Sequence, residues 1–151
     1  MTHLEVSNRS DNPVLTYITL GATPGCVQDV STLTLTNGVV LTPLFPLMGT
    51  FTIPAGGSTR VVAPEGLGLN GNFCFGTPPL NCPCVEWQEG VNLAEFIINN
   101  GFQAGGQETV DISCVCGANA YIAFELSAND WTSNGGTIGV CYMANDTRYQ
   151  N

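Results

Sequence analysis

Apolar residues in this chain recur at every second position, which is the side-chain period of a β-strand and not of a helix. In residues 32–36 leucine alternates strictly with threonine, and the following Asn37-Gly38 is a strong turn signal. No segment has the pattern of an amphipathic helix. Many short strands of this kind are typical of a β-sandwich or a β-barrel. Strands are predicted at 3–6, 14–20, 32–36, 39–41, 49–53, 58–62, 92–98, 108–113, 120–126 and 138–143.

The length of 151 residues favours a single domain over 1–151, and no linker or internal repeat divides the chain. The alternation stops between residues 64 and 90, a stretch that is rich in cysteine and proline. We predict that this stretch is an excursion loop tied down by sulfur.

Charge is scarce: only 10% of the residues are charged, and the net charge is −9. The basic residues are Arg9, Arg60, Arg148 and one histidine, which cannot form the basic footprint of a nucleic-acid-binding protein. No apolar run is long enough to span a membrane. The low charge fits either a secreted β-protein with a polar, uncharged surface or a surface that contacts other protein subunits, because interface cores are depleted of charge.

The N-terminal residues contain no basic segment followed by an apolar stretch, so we expect no secretory signal in this chain. The seven cysteines nevertheless favour an oxidising setting. The expected location is therefore extracellular or on the surface of a particle such as a virion or an appendage.

Two Cys-x-Cys pairs are the most unusual motif. Cys114 and Cys116 would lie on one face of a strand, and if Cys82 and Cys84 lie above them, two disulfides or one zinc site could form. Disulfides, buried thiols and a four-thiolate zinc site all remain open; we favour disulfides, with Cys74 as a further candidate. Because the count is odd, at least one cysteine stays unpaired within the chain. No metal and no cofactor is predicted.

Residues 41–48 combine apolar side chains with two prolines, which oppose a central strand and predict a loop. Leu44, Phe45 and Leu47 are candidate interface residues there, because little charge protects this region from pairing with other chains. The alternative is that the three side chains fold back onto the sandwich.

Several motifs together resemble one known family. They are Leu-Glu-Val-Ser-Asn-Arg at 4–9, Thr-Phe-Thr-Ile-Pro-Ala-Gly at 50–56, Leu-Ala-Glu-Phe at 93–96 and Asp-Ile-Ser at 111–113. In this order they resemble the thaumatin-like proteins, in a short form that lacks the disulfide-rich second domain. The resemblance implies a sandwich of two antiparallel sheets and an acidic cleft linked to binding or slow cleavage of β-1,3-glucans.

In that comparison Glu95 and Asp111 match two acids of the family's cleft. The third acid falls at Cys116, and the cleft arginine falls near Leu69 or Asn70 and has no match. We therefore expect a non-catalytic structural or interaction protein that packs into a surface coat, an appendage or a virion. The alternative is a secreted module that binds β-glucan, with weak glucanase activity at most. The expected partners are protein subunits, with a glycan as a second class.

Overall fold

The computed structural model describes residues 2–76, 91–100, 108–114, 118–125 and 141–144. Apart from one short 3-10 helix, the regular structure in these ranges is all β. No helix in this part of the chain has the length and apolar character needed to cross a membrane. The strands are β1 (Leu4–Ser7), β2 (Val14–Leu20), β3 (Thr34–Leu35), β4 (Thr42–Phe45), β5 (Met48–Ile53), β6 (Ser58–Val62), β7 (Leu69–Phe75), β8 (Leu93–Ile98), β9 (Thr109–Ser113), β10 (Ile122–Glu125) and β11 (Cys141–Ala144).

The described strands form two main sheets and a two-stranded ribbon. The large sheet has six strands in the order β4-β5-β2-β7-β8-β9, and the small sheet has three in the order β1-β6-β3. The pairings are antiparallel, and β10 pairs with β11 as a separate ribbon. The predicted all-β sandwich of two antiparallel sheets is confirmed.

The main core lies between the two sheets. The small sheet contributes Leu4, Val6 and Val61, and the large sheet contributes alternate residues of β2, β5, β7 and β8. Phe73 lies at its aromatic centre: its ring is 4.9 Å from that of Phe96, measured between centroids. Since successive side chains of a strand point to opposite faces, the residues between these core residues point to the outer face of the large sheet.

The outer face of the large sheet carries a second, smaller buried cluster. Tyr17, Met48, Cys74 and Leu93 belong to it, and each has an exposed fraction of 8% or less. Strands β2, β7 and β8 are therefore buried on both faces over part of their length.

The predicted loop at 64–90 is wrong for its first half, because β7 occupies Leu69–Phe75 in the interior of the large sheet. Gly71 falls on the core face between Leu69 and Phe73, where an alternating pattern calls for an apolar side chain, and this hides the alternation. A glycine is required at position 71, since a Cβ there would overlap the Thr19 carbonyl group. Residues 77–90 lie outside the described residues.

The predicted strands at 32–36 and 39–41 are only partly present. Asp29 caps a 3-10 helix, Val30–Thr32, which leaves the two residues of β3 as the only strand in this region. The predicted turn is confirmed, since Asn37 and Gly38 both have positive φ, at 60° and 72°. Residues 39–41 are not in a strand.

The predicted loop at 41–48 contains an edge strand, β4, that pairs with β5. Pro43 has no backbone N–H to donate. An edge strand tolerates this, because one of its sides has no neighbouring strand that needs a hydrogen-bond donor. The register between β4 and β5 shifts between Pro43 and Phe45, which leaves Leu44 at an irregularity of the ladder.

Candidate functional site

The two acids predicted to share a cleft are direct neighbours in the large sheet. Glu95 in β8 lies opposite Asp111 in β9, in an antiparallel register. Residues in this relation point to the same face, with their Cβ atoms about 4.5–5.5 Å apart. The face is the outer one, because Ala94 and Phe96 on either side of Glu95 belong to the main core.

Two further residues extend this pair of acids into a row of cross-strand neighbours. Asn72 in β7 lies opposite Glu95, and Thr19 in β2 lies opposite Asn72. We call Thr19, Asn72, Glu95 and Asp111 the oxygen row. Sequence reasoning missed its first two members, because a cross-strand neighbour is visible only once the register is known.

Two atoms of the oxygen row are buried acceptors without a hydrogen-bond partner. They are the side-chain oxygens Oγ1 of Thr19 and Oδ1 of Asn72. Asn72 as a whole has an exposed fraction of only 8%. Buried polar atoms are nearly always satisfied, so two adjacent exceptions mark an unusual place in the sheet.

From Asn72 to Asp111, accessibility increases along the row toward the edge of the sheet. Asn72 is buried, Glu95 is half-buried, and Asp111 on the edge strand β9 is exposed. Strands β7, β8 and β9 contain no basic residue. The row therefore presents oxygen atoms and negative charge, and it suits a ligand that donates hydrogen bonds or carries positive charge.

The cysteines are dispersed in the described part of the chain. Cys114 follows β9, is exposed and has a free thiol, so the predicted disulfide of Cys114 is not found. Cys74 lies inside β7 and not in a loop, and it is buried on the outer face. Burial raises the pKa of the Cys74 thiol, and the backbone hydrogen bond at Phe75 opposes this shift.

Cys82, Cys84 and Cys116 lie outside the described residues. In the ranges that the structure covers, no group of three or more His, Cys, Asp or Glu side chains is placed to hold a metal.

A second candidate surface lies at the opposite edge of the large sheet. The side chains of Leu44 and Phe45 in β4 are 45% and 47% exposed, and Val40 just before this strand is 75% exposed. We call these three residues the apolar edge. Leu47, the third predicted interface residue, is only partly exposed and packs against the main core.

No protein-family model, no curated protein and no solved structure matches this chain. The resemblance to thaumatin-like proteins therefore stays a prediction that depends on the sequence motifs.

Proposed function

We propose that this chain is a non-catalytic structural protein that binds other protein subunits through the apolar edge, in a surface coat, an appendage or a virion. The observation that carries the proposal is the exposure of Val40, Leu44 and Phe45 beside an edge strand. Several exposed apolar side chains within one short segment favour contact with another protein, because contact removes them from water. An extracellular or particle-surface location belongs to the same proposal.

The surrounding sequence strengthens this argument. No charged residue occurs from Val30 to Thr59, a stretch that includes β4 and β5. Natural proteins protect exposed sheet edges with charges, because an unprotected edge pairs with other chains. The other edge of the sheet, β9, does carry an exposed acid, Asp111. The contrast favours β4 as the edge that meets a partner.

The contact is expected to depend on side chains more than on an extended backbone ladder. Pro43 has no backbone N–H to donate, so a partner strand paired with β4 would lack one hydrogen bond of the ladder. Leu44 and Phe45 instead offer apolar surface to a complementary hollow on the partner subunit.

The test compares two double variants of the full chain by analytical ultracentrifugation and native mass spectrometry. Replacing Leu44 and Phe45 with serine should convert assemblies to monomers while the β-sheet circular dichroism stays unchanged. Replacing Val62 and Leu67 with serine is the matched control, since both are also 40% exposed but belong neither to β4 nor to its neighbour β5. A wild-type protein that stays monomeric at high concentration, alone and with its source particle, would contradict the proposal.

Binding of β-glucan is the second candidate function. It is favoured by the position of Glu95 directly opposite Asp111 on the neighbouring strand. Neighbouring carboxylates accept hydrogen bonds from sugar hydroxyl groups. We propose binding without hydrolysis, since β7, β8 and β9 supply no basic group beside the two acids. A pull-down on insoluble β-1,3-glucan, repeated with Glu95→Gln, tests binding, and a reducing-sugar assay tests hydrolysis. Hydrolysis that is abolished in Glu95→Gln would contradict the non-catalytic assignment.

A further inference from the structure

We propose that the oxygen row binds a hard divalent cation, with Ca²⁺ as the ion that fits best. The proposal joins two independent observations. The first is the pair of carboxylates, Glu95 and Asp111, that face each other across β8 and β9. The second is the buried Oδ1 of Asn72, which lies beside this pair in register and has no hydrogen-bond partner.

The donor set has the chemistry of a calcium site. Carboxylate, amide carbonyl and hydroxyl oxygens are the ligands that Ca²⁺ takes, whereas zinc in proteins prefers nitrogen and sulfur. Ca²⁺ also accepts irregular arrangements of about six to eight oxygens and completes its shell with water. Three side chains on neighbouring strands, Glu95, Asp111 and Asn72, supply oxygens for such an irregular arrangement.

Charge favours the same conclusion. Like charges directly opposite each other on neighbouring strands destabilise a sheet. A cation between Glu95 and Asp111 would turn this repulsion into attraction for both carboxylates. It would also give the amide oxygen of Asn72 a partner that no described residue provides.

The gradient of exposure defines how the ion would enter. Asp111 is open to solvent at the edge strand β9, and Asn72 lies two strands further into the sheet. The ion would meet Asp111 first, then Glu95, with Asn72 at the inner end. The hydroxyl group of Thr19, one strand beyond Asn72, is positioned to bind a water molecule of the ion's shell.

The test is isothermal titration calorimetry of the metal-stripped full chain with CaCl₂, with ZnCl₂ as the comparison. We expect one saturable Ca²⁺ site per chain. Asp111→Asn and Glu95→Gln should each weaken binding at least tenfold, because each removes a charged ligand and keeps the shape of the side chain. Glu65→Gln is the matched control, since Glu65 is exposed in a turn outside the four strands that carry the row, and it should bind like the wild type.

A second measurement separates a binding role from a structural one. Without calcium, Asp111→Asn should melt at a higher temperature than the wild type, because the repulsion is removed. With saturating calcium the order should reverse. The proposal is overturned if the wild type shows no saturable binding up to about 10 mM Ca²⁺, roughly ten times the dissociation constant of the weakest protein sites. It is equally overturned if Asp111→Asn and Glu95→Gln bind like the wild type.

Discussion

Asn92 and Asn119 each bind the backbone of the other. The side-chain oxygen of Asn92 accepts a hydrogen bond from the backbone N–H of Asn119 at 3.2 Å, and the side-chain oxygen of Asn119 accepts one from the N–H of Asn92 at 3.3 Å. Asn92 makes two more bonds with the backbone of Ala120. This exchange joins the residue before β8 to the segment before β10, and it holds the ribbon strand next to the large sheet.

The first prediction concerns this exchange. Asn92 is fully buried, so Asn92→Ala should leave buried backbone groups unsatisfied and lower the free energy of unfolding by about 2–4 kcal/mol. Asn119 is exposed, and water can replace its lost bonds, so Asn119→Ala should cost clearly less. Urea denaturation of both variants measures the difference. Equal losses for the two would contradict the assignment.

The strands that the sequence predicts best are those with clean alternation. In β5, for example, Phe51 and Ile53 alternate with threonine, and the prediction falls within one residue of the structure. The alternation fails in β7, because Gly71 and Asn72 occupy positions where a strand ordinarily shows apolar or β-branched residues. The reason is tertiary: β2 approaches too closely for a side chain at 71, which no local pattern reveals.

The candidate site was predictable only in part for a related reason. The sequence motifs identified Glu95 and Asp111 as candidates. Whether the two side chains lie opposite each other depends on the register between β8 and β9. A shift of one residue would place them on opposite faces of the sheet. In the sequence, Asn72 and Thr19 are ordinary polar residues. Only the structure shows that the side-chain oxygen of each is buried without a hydrogen-bond partner.

The second prediction tests the close approach of β7 and β2. In Gly71→Ala the new Cβ would overlap backbone atoms of Thr19, which cannot move without breaking the sheet. We expect a loss of more than about 3 kcal/mol or a failure to fold. Gly56→Ala is the control: it has positive φ but open space around it, so only backbone strain of about 1–2 kcal/mol applies. Thermal and chemical denaturation measure both, and similar stability of the two variants would contradict the overlap.

The third prediction concerns Asn8, which lies in an Asn-x-Ser triplet. Its side-chain nitrogen donates hydrogen bonds to the carbonyl oxygens of Asn12, Ile53 and Pro54, at 2.7, 3.1 and 3.1 Å. Asn8→Asp would turn an oxygen toward these carbonyl groups and should lower the free energy of unfolding by about 3 kcal/mol or more at neutral pH. Asn12→Asp is the matched control, because the side chain of Asn12 is exposed. A neutral effect of Asn8→Asp in urea denaturation would show that these bonds are dispensable.

The fourth prediction is a pH dependence that originates at Asp29. Hydrogen bonds from the side chain and the backbone of Ser31 hold the pKa of this carboxyl below its ordinary value. A lowered folded-state pKa stabilises the protein above the unfolded-state pKa, and this contribution disappears as the pH falls through the folded-state pKa. Between about pH 5 and pH 2 the wild type should therefore lose more stability than Asp29→Asn does. Parallel slopes for the two proteins in acid titrations of the unfolding free energy would contradict this role.

The fifth prediction uses the accessibility of the thiols. Cys114 is exposed, whereas Cys26 and Cys74 have exposed fractions of 3% and 0%. Burial also raises the pKa of the Cys26 thiol, so less of the reactive thiolate is present at a given pH. In native protein iodoacetamide should modify Cys114 within minutes, and Cys26 and Cys74 only after denaturant is added. Peptide mapping by mass spectrometry at timed intervals identifies each site. Rapid native labelling of Cys26 would show that the segment before the 3-10 helix opens, whereas protection of Cys114 would show that its surface is covered by another chain or that its sulfur is bonded.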